Sequence, residues 1–331
     1  MPNEDDITGW IITPEDDGFH DDYPELSDHP YWMETFWTSF NHPERKMGGW
    51  FYNQVLRNQG EHGICNGGAW VWDDSDEPAL YHMSQQALPM PPGGDLRDIR
   101  LPNGNRIKVT KPLMTYEMQY VDKGKYEADL VFDGVMEPNP HPAGVFPFWK
   151  GRHFDQVMHV TGEIVLHGER IEIDCLSVRD RSWSPRPPQN RPRERSPGEP
   201  ARPPRPTRPP FTLGYIFGTA SPNDAFLAYT MLVEGEDTEE VKTGYLVRDG
   251  KWAHLVSGWR TCLVDRDKGW IFRIEFEGTD SLGRTIHAVG EQVSNHGQGT
   301  GLFYWRWDGS EGWGENQGGM SAAYPRVDRP S

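Results

Sequence analysis

The segment Arg179-Asp180-Arg181-Ser182-Trp183 sets two guanidinium groups, a carboxylate, a hydroxyl and an indole at the exit of one strand pattern. Strand packing requires none of them. Their chemistry allows two uses. A buried carboxylate must be paired, and guanidinium forks pair it well, so Asp180 can be a structural tie with Trp183 as a core plug. Alternatively, Asp180 lines a pocket mouth as acid or base. A carboxyl in an apolar, aromatic pocket has its pKa raised and can donate a proton near neutral pH. His153 and His159 in HFDQVMH are the candidate bases or water-orienting groups, and Arg179 or Arg186 would hold the Asp180 geometry.

Other candidates carry less. Glu61 and His62 sit in the Gly-flanked NQGEHGICNGG, which reads as a solvated turn. His287 alternates between Ile286 and Ala288, so its face is ambiguous. Tyr304 and Glu315 lie in GLFYWRWDGSEGWGENQGG, a Gly/aromatic stretch with the texture of a barrel-closing end. The common nucleotide, zinc-protease and nucleophile-elbow motifs are absent. The three cysteines are isolated, which argues against a disulfide framework or a zinc ribbon. His153 and His159 are not at a standard ligand spacing. A two-His-one-carboxylate site could be assembled from distant strands, but no sequence feature points to one, so neither metal nor cofactor is expected.

The elements that must position these groups read as strands. ETFWTSFNHP and MGGWFYNQVLR form a first hairpin, GICNGGAWVWDD a third strand, and 106–122 and 126–134 further strands around a KGK turn. In 158–178, Val160, Ile164 and Leu166 share one face, and Ile171, Ile173 and Cys175 share another, with HGE as the turn. Beyond 210, hairpins follow around SPND and Asp249-Gly250. WIFRIEFE and TIHAVGEQV come next, and GLFYWRWDG reads as the last strand.

Composition agrees with a mainly β protein. The chain has 331 residues, 14 Trp, 36 Gly and 29 Pro, which suits two domains. A net charge of −17 disfavours nucleic acid and anionic membranes as partners. No apolar run is long enough for a transmembrane helix, and the N-terminus lacks a signal-peptide pattern, so a cytoplasmic location is expected. The expected division is an acidic, solvated lead-in over 1–30, an N-terminal β-domain over 31–184, a Pro/Arg-rich linker or loop over 185–210, and a C-terminal β-domain over 211–331. The 185–210 tract holds eleven Pro and seven Arg and is a candidate docking segment for an acidic or SH3-like partner.

HFDQ followed by RDRSWSPR resembles the signature of the lipocalin-like hydratase and cyclase superfamily, which includes carotenoid 1,2-hydratase, AttH-like and tocopherol-cyclase-like proteins. Its usual form is a hydrophobic strand ending in R-D-H-S-W-G-x-R. Arg179, Asp180, Ser182, Trp183 and Arg186 match, as do His153 and Gln156 of the preceding H-x-x-Q element. Arg181 stands in place of the His and Ser184 in place of the Gly. A guanidinium stays protonated, so Arg181 cannot take over an acid–base role of that His. The resemblance spans 31–320 and implies an all-β fold of two consecutive lipocalin-like antiparallel β-barrel or sandwich domains. It also implies a hydrophobic small molecule (terpenoid, polyene, steroid or aromatic) held in a barrel or between the domains, and cofactor-independent proton-transfer chemistry: hydratase/lyase, isomerase or cyclase. Asp180, His153 and His159 would be catalytic. Trp183, Arg179, Gln156, Trp50, Trp70, Tyr304 and Trp305 would bind substrate. The faces of Trp50, Trp70, Trp72, Trp305 and Trp307 could steady a carbocation. The alternative is a non-catalytic binding protein for the same ligand class.

Overall fold

The computed structural model describes residues 9–21, 28–75, 79–142, 144–145, 151–186, 211–233, 236–297, 300–318 and 323–329. Most of the Pro/Arg tract, 187–210, lies outside the described residues, and with it the docking expectation. The described strands form two sheets, antiparallel throughout except for the parallel pairing of the short last strand. The first comprises β1 (Trp32–His42), β2 (Met47–Leu56), β3 (Ile64–Trp72), β4 (Tyr81–Pro89), β5 (Asp98–Arg100), β6 (Arg106–Lys111), β7 (Thr115–Asp122), β8 (Tyr126–Gly134), β9 (Asn139–Pro140), β10 (Arg152–Leu166) and β11 (Glu169–Pro185). The second comprises β12 (Phe211–Ser221), β13 (Asp224–Val233), β14 (Thr238–Arg248), β15 (Lys251–Asp265), β16 (Ile271–Asp280), β17 (Thr285–Asn295), β18 (Gly301–Trp307), β19 (Ser310–Gly318) and β20 (Arg326–Val327).

The strand order of the first sheet is β4-β3-β2-β1-β11-β10-β8-β7-β6-β5, with β9 on β10. It is a half-barrel whose core includes Phe36, Phe51, Tyr116, Phe132 and Ile164. In the second sheet β14 also pairs with β15, which closes β12–β19 into an eight-strand barrel. Phe226, Phe276, Trp305 and Trp307 fill its interior, with Phe226 and Phe276 stacked at 5.4 Å. The expected two-domain, lipocalin-like all-β architecture is therefore present. Asp249 and Gly250 both have positive φ, as a two-residue hairpin turn requires. GLFYWRWDG is not the last strand: β19 and β20 follow it, because the Asp308-Gly309 turn, also at positive φ, returns the chain.

The bodies meet along a seam. Trp37, Val157 and Val178 of the first sheet pack on Tyr215, Phe217, Leu227, Tyr229, Tyr245 and Val247 from the barrel exterior. Strand alternation decides which residues face it. On β11, Asp180 and Ser182 share one face; Arg179, Arg181 and Trp183 take the other and are completely buried. Arg181 Nη2 donates to Glu34 Oε2 and to the Gly18 carbonyl, both at 2.6 Å, and Nη1 donates to the Thr35 and Ser182 carbonyls at 3.1 Å. The His20 ring stacks on Trp183 at 3.6 Å.

Residues 10–20 are thus no solvated lead-in. Trp10, Asp16 and Asp17 are buried: Trp10 meets Trp183 edge-on at 5.7 Å, Asp16 lies 3.1 Å from His20, and Asp17 faces Arg179. Asp17 accepts hydrogen bonds from Tyr116 and from the Leu113 N–H, both at 2.6 Å, and lies 3.7 Å from Arg179.

Burial opposes ionisation of Glu34, but Arg181 and then His20 outweigh it and hold the carboxyl at about 2. Its folded value is below the unfolded one near 4.5, so this stabilisation is present above pH 4.5 and is lost as pH falls through about 2. Removing one partner of such a pair strands the other. Arg181→Ala should cost about 3–5 kcal/mol in urea denaturation at pH 7. The Arg181→Ala, Glu34→Gln double variant should recover part of that loss.

Candidate active site

Register builds the site. Trp37 on β1 is paired with Tyr52 on β2 and with Asp180 on β11, and Asp180 is paired in turn with Asp155 on β10. Tyr52, Trp37, Asp180 and Asp155 therefore form one cross-strand row. Two residues along, Gln54, Thr35, Ser182 and His153 form the next row on the same face. The short β9 binds the edge of β10 through Phe154↔Pro140 and Asp155↔Asn139, which brings His141 in beside His153. The His141 N–H donates to the His153 carbonyl at 2.8 Å, and the Trp10 indole N–H donates to the His141 carbonyl at 3.2 Å.

Four titratable side chains of the first sheet meet here. His153 Nε2 lies 2.8 Å from Asp180 Oδ2 and 3.4 Å from Asp155 Oδ2. His141 Nε2 lies 2.5 Å from the same Asp155 oxygen, and its Nδ1 is 2.8 Å from Thr243 Oγ1 on the barrel. The barrel adds two phenols. Tyr215 donates to Asp155 Oδ1 at 3.2 Å, and Tyr229 lies 3.2 Å from His153 Nε2 and 3.4 Å from Asp180 Oδ2. Arg186 is anchored on the Ser182 and Ser184 hydroxyls at 2.7 Å, where its charge acts on Asp180, Tyr52 and Tyr229.

Burial sets the charges. It pushes the His153 imidazole down, but the carboxylates of Asp180 and Asp155 overcome it and raise His153 to about 9. Burial opposes ionisation of Asp155, yet His153 and His141 hold it well below the usual carboxylate range. His141 is lowered by burial despite Asp155. Burial raises both phenols well above 10, so they stay neutral donors. Near pH 7 the centre is an imidazolium at His153 facing carboxylates, with His141 neutral. His141 and Asp155 are 4% and 0% exposed, whereas the Asp180 side chain retains 18%. Asp180 is the most exposed of these four side chains.

His141, His153 and Asp155 also offer three metal-ligand atoms within 4.8 Å of one another. In this structure His141 Nε2 and Asp155 Oδ2 are spaced as hydrogen-bond partners.

Of the expected residues, Asp180 and His153 are brought together. His159 is not: its side chain is 44% exposed and pairs with Asp174 at 2.7 Å. Arg179, Gln156 and Trp183 lie on the opposite face of the sheet from Asp180. Arg179 Nε donates to Gln156 Oε1 at 2.7 Å, and Gln156 Nε2 donates to the Met136 carbonyl at 2.6 Å. Of the two arginines expected to hold Asp180, only Arg186 shares its environment. Trp305 is fully buried in the barrel interior. Tyr304 is tied to Glu311 and borders an open groove of about 610 Å³ with Lys46, Phe272, Gln292 and Trp313. That groove does not include Asp180. Trp50 and Trp70 lie at the seam and near it, away from the His153 pair. Glu61, His62 and His287 remain exposed.

The sequence reading missed His141, Asp155, Tyr215, Tyr229 and Thr243. Asp155 had a signal, since it follows His153 by two residues and must share its face. Tyr229 sits inside the apolar AFLAYTMLV, where its phenol and the Thr230 hydroxyl are the polar side-chain groups. His141, in a Pro-flanked segment, had none.

A half-barrel and a closed barrel with an acid–base cluster along their seam define a two-domain, lipocalin-like protein. The chain belongs to the family described as Domain of unknown function (DUF7064), whose model matches residues 13–317. Among solved structures it is similar to a Nitrosomonas europaea protein provisionally described as AttH, at 12% identity and a TM-score of 0.57 over 93% of this chain and 96% of that one. It is also similar to kievitone hydratase from Nectria haematococca, at 12% identity and 0.52 over 95% and 94%. A third is CghA with Sch210972, at 14% identity and 0.53 over 91% and 94%. These likenesses bear out the lipocalin-like superfamily in fold. A comparison with curated proteins found no match. Among the described residues no helix is long and apolar enough to cross a membrane.

The folded pKa of His153 exceeds its unfolded value near 6.5, so its stabilisation is complete below pH 6.5 and is lost as pH rises through about 9. NMR titration of the His153 ring should give a midpoint near 9, and Asp180→Asn should lower it. Exhaustive chelation should leave the melting temperature unchanged; a drop restored by a divalent metal would mean that the cluster is a metal centre.

Proposed function

We propose that the chain is an enzyme that moves protons on a hydrophobic small molecule, without a cofactor, through the Asp180–His153 pair. The observation that carries this is the 2.8 Å contact between a buried imidazole and the one carboxylate of the cluster that keeps an outlet to solvent. Asp155, His141 and Thr243 form the chain of hydrogen bonds behind it.

In the reaction, His153 first passes its proton across that contact to the Asp180 carboxylate, and the carboxyl so formed then protonates an alkene carbon and returns to the carboxylate. The alkene π pair forms the new C–H bond and leaves a cation on the neighbouring carbon. Water adding there and returning its proton to the pair completes a hydration. An internal nucleophile would close a ring instead, and loss of an adjacent proton would move the double bond. Hydratase/lyase, isomerase and cyclase outcomes share this first step. The neutral phenol of Tyr229 keeps the pair oriented and that of Tyr215 holds Asp155 behind it, without competing for the proton. The structural likeness to kievitone hydratase and CghA supports small-molecule chemistry on this scaffold. Arg181, in place of the superfamily His, does not weaken the reading, because it lies on the opposite face with Glu34 and the acid–base role falls to His153.

The test is incubation with a panel of terpenoid, polyene, steroid and prenylated aromatic alkenes in ¹⁸O-labelled water, read by mass spectrometry. A hydration product should carry one labelled oxygen, and ring closure or isomerisation should appear as a shifted retention time at equal mass. Asp180→Asn should slow the reaction about 10²–10⁴-fold with ligand affinity kept. Ligand held equally by both proteins, with no conversion, would make this a binding protein.

A further inference from the structure

A second proton-holding group lies at the seam, apart from the His153 cluster. Glu315 on β19 is 1% exposed. Its Oε2 accepts hydrogen bonds from Trp50 Nε1 at 2.7 Å and from Gln317 Nε2 at 3.1 Å. Burial raises the carboxyl to about 8, more than Trp50, Gln317 and Ser39 lower it. It therefore carries a proton at neutral pH. The titratable neighbours are the Cys175 thiol on β11, itself pushed up to about 12 by burial, and His296 beyond the Trp50 ring.

Trp50 belongs to a box of indoles. His82, Trp70 and Trp50 form one register row across β4, β3 and β2, and Trp72 follows Trp70 on the same face. Trp50 meets Trp70 and Trp72 edge-on at 6.2 and 5.4 Å. From the barrel body, His296 enters this box just after β17. Its ring stacks on Trp72 at 5.0 Å and 21°, stands edge-on to Trp50 at 5.7 Å, and lies 6.5 Å from Trp70 and 5.8 Å from His82. A planar polar ring of one body thus sits among three indoles of the other, and one of those indoles, Trp50, donates to the Glu315 carboxyl. Trp50 and His296 are only half-buried and His82 is exposed, so the box is open to solvent on one side. Aromatic faces of this kind favour a planar ring over an aliphatic one.

The geometry points to a ligand site in which the planar ring of a small molecule displaces His296 from the Trp50–Trp70–Trp72 box, while its carbonyl or hydroxyl oxygen accepts a hydrogen bond from the Glu315 carboxyl. His296 is the built-in occupant that holds the box in shape. This assignment does not rest on the role of Asp180. Strand spacing puts Trp50 roughly 12 Å from Asp180, two strands across and one same-face step along. One elongated molecule could span both.

The test is titration of the full chain with acetophenone, followed by indole fluorescence, with cyclohexyl methyl ketone as the non-aromatic control. Removing a competing occupant raises apparent affinity, so His296→Ala should bind acetophenone at least about fivefold more tightly than the wild type, with little gain for the control. Above pH 8, wild-type affinity should fall by up to about tenfold per pH unit as Glu315 loses its proton. Glu315→Gln keeps an N–H donor, so its affinity should stay flat from pH 6 to 9. Folded His296→Ala that binds no better than wild type overturns the site. So does equal binding of the control ketone, or a wild-type pH slope in Glu315→Gln. Should His296→Ala fail to fold, the pH slopes of wild type and Glu315→Gln decide alone. Asp180→Asn should leave acetophenone binding unchanged, which separates this outcome from failure of the acid–base reading.

Discussion

The two-sidedness of β11 is the constraint on which the rest depends. Two buried guanidinium groups on its inner face must be neutralised away from water, since an unpaired buried charge costs several kcal/mol. Glu34 on β1 and Asp17 on the N-terminal segment do this, and the Gly18 carbonyl completes the Arg181 fork. Satisfying the arginines fixes β1 against β11 and folds residues 10–20 over the half-barrel. With the inner face fixed, period two leaves Asp180 no choice of side. Trp183 is the buried plug expected of it, but Asp180 pairs with His153 rather than with Arg179 or Arg181, whose buried acidic partners are Asp17 and Glu34.

The outer face solves the opposite problem. Asp155, Asp180 and His153 place two acidic groups and one basic group in a layer where burial penalises charge. They coexist because each sits within hydrogen-bonding distance of an opposite or neutral partner. The imidazolium bridges the two carboxylates, and the phenols and Thr243 come from the barrel. The first sheet alone would leave this cluster open to water on one side. Docking of the barrel supplies its dielectric as well as its donors, so the perturbed protonation of His153 is a property of the two-body assembly.

Most strands were legible because alternation and turn residues report local geometry. The hairpin over 158–178 was visible in outline, and its register, carried outward, sets His153 and Asp180 at neighbouring same-face positions. The N-terminal acids were misread because their partners, Arg179 and Arg181, lie more than 150 residues away. A charge run reads as solvated when its neutralising groups are distant in sequence. His141 was invisible for a related reason: β9 is two residues long and makes no period. Tyr304 and Trp305 were expected to bind substrate on the strength of the family resemblance. Adjacent strand residues cannot share a face, and neither proved to line the His153 cluster.

The barrel departs most from expectation in what it contains. A lipocalin-like body suggests a container, but this one is filled. Phe226, Phe276, Trp305 and Trp307 occupy its interior, and the Arg260 fork is held inside by Glu239 at 2.6 Å and Asn316 at 2.7 Å. Glu239 also accepts from Tyr324 and Thr230. A ligand would have to displace both packed indoles and a satisfied ion pair, and uncovering that pair would cost more than a small apolar molecule returns. The seam has the opposite character. Asp180 keeps an exposed edge, Trp50 and His296 are half-buried, and titratable groups from both bodies converge there. Closing one barrel on its own side chains leaves its outer wall to pack on the half-barrel, and the titratable cluster forms where the two surfaces join.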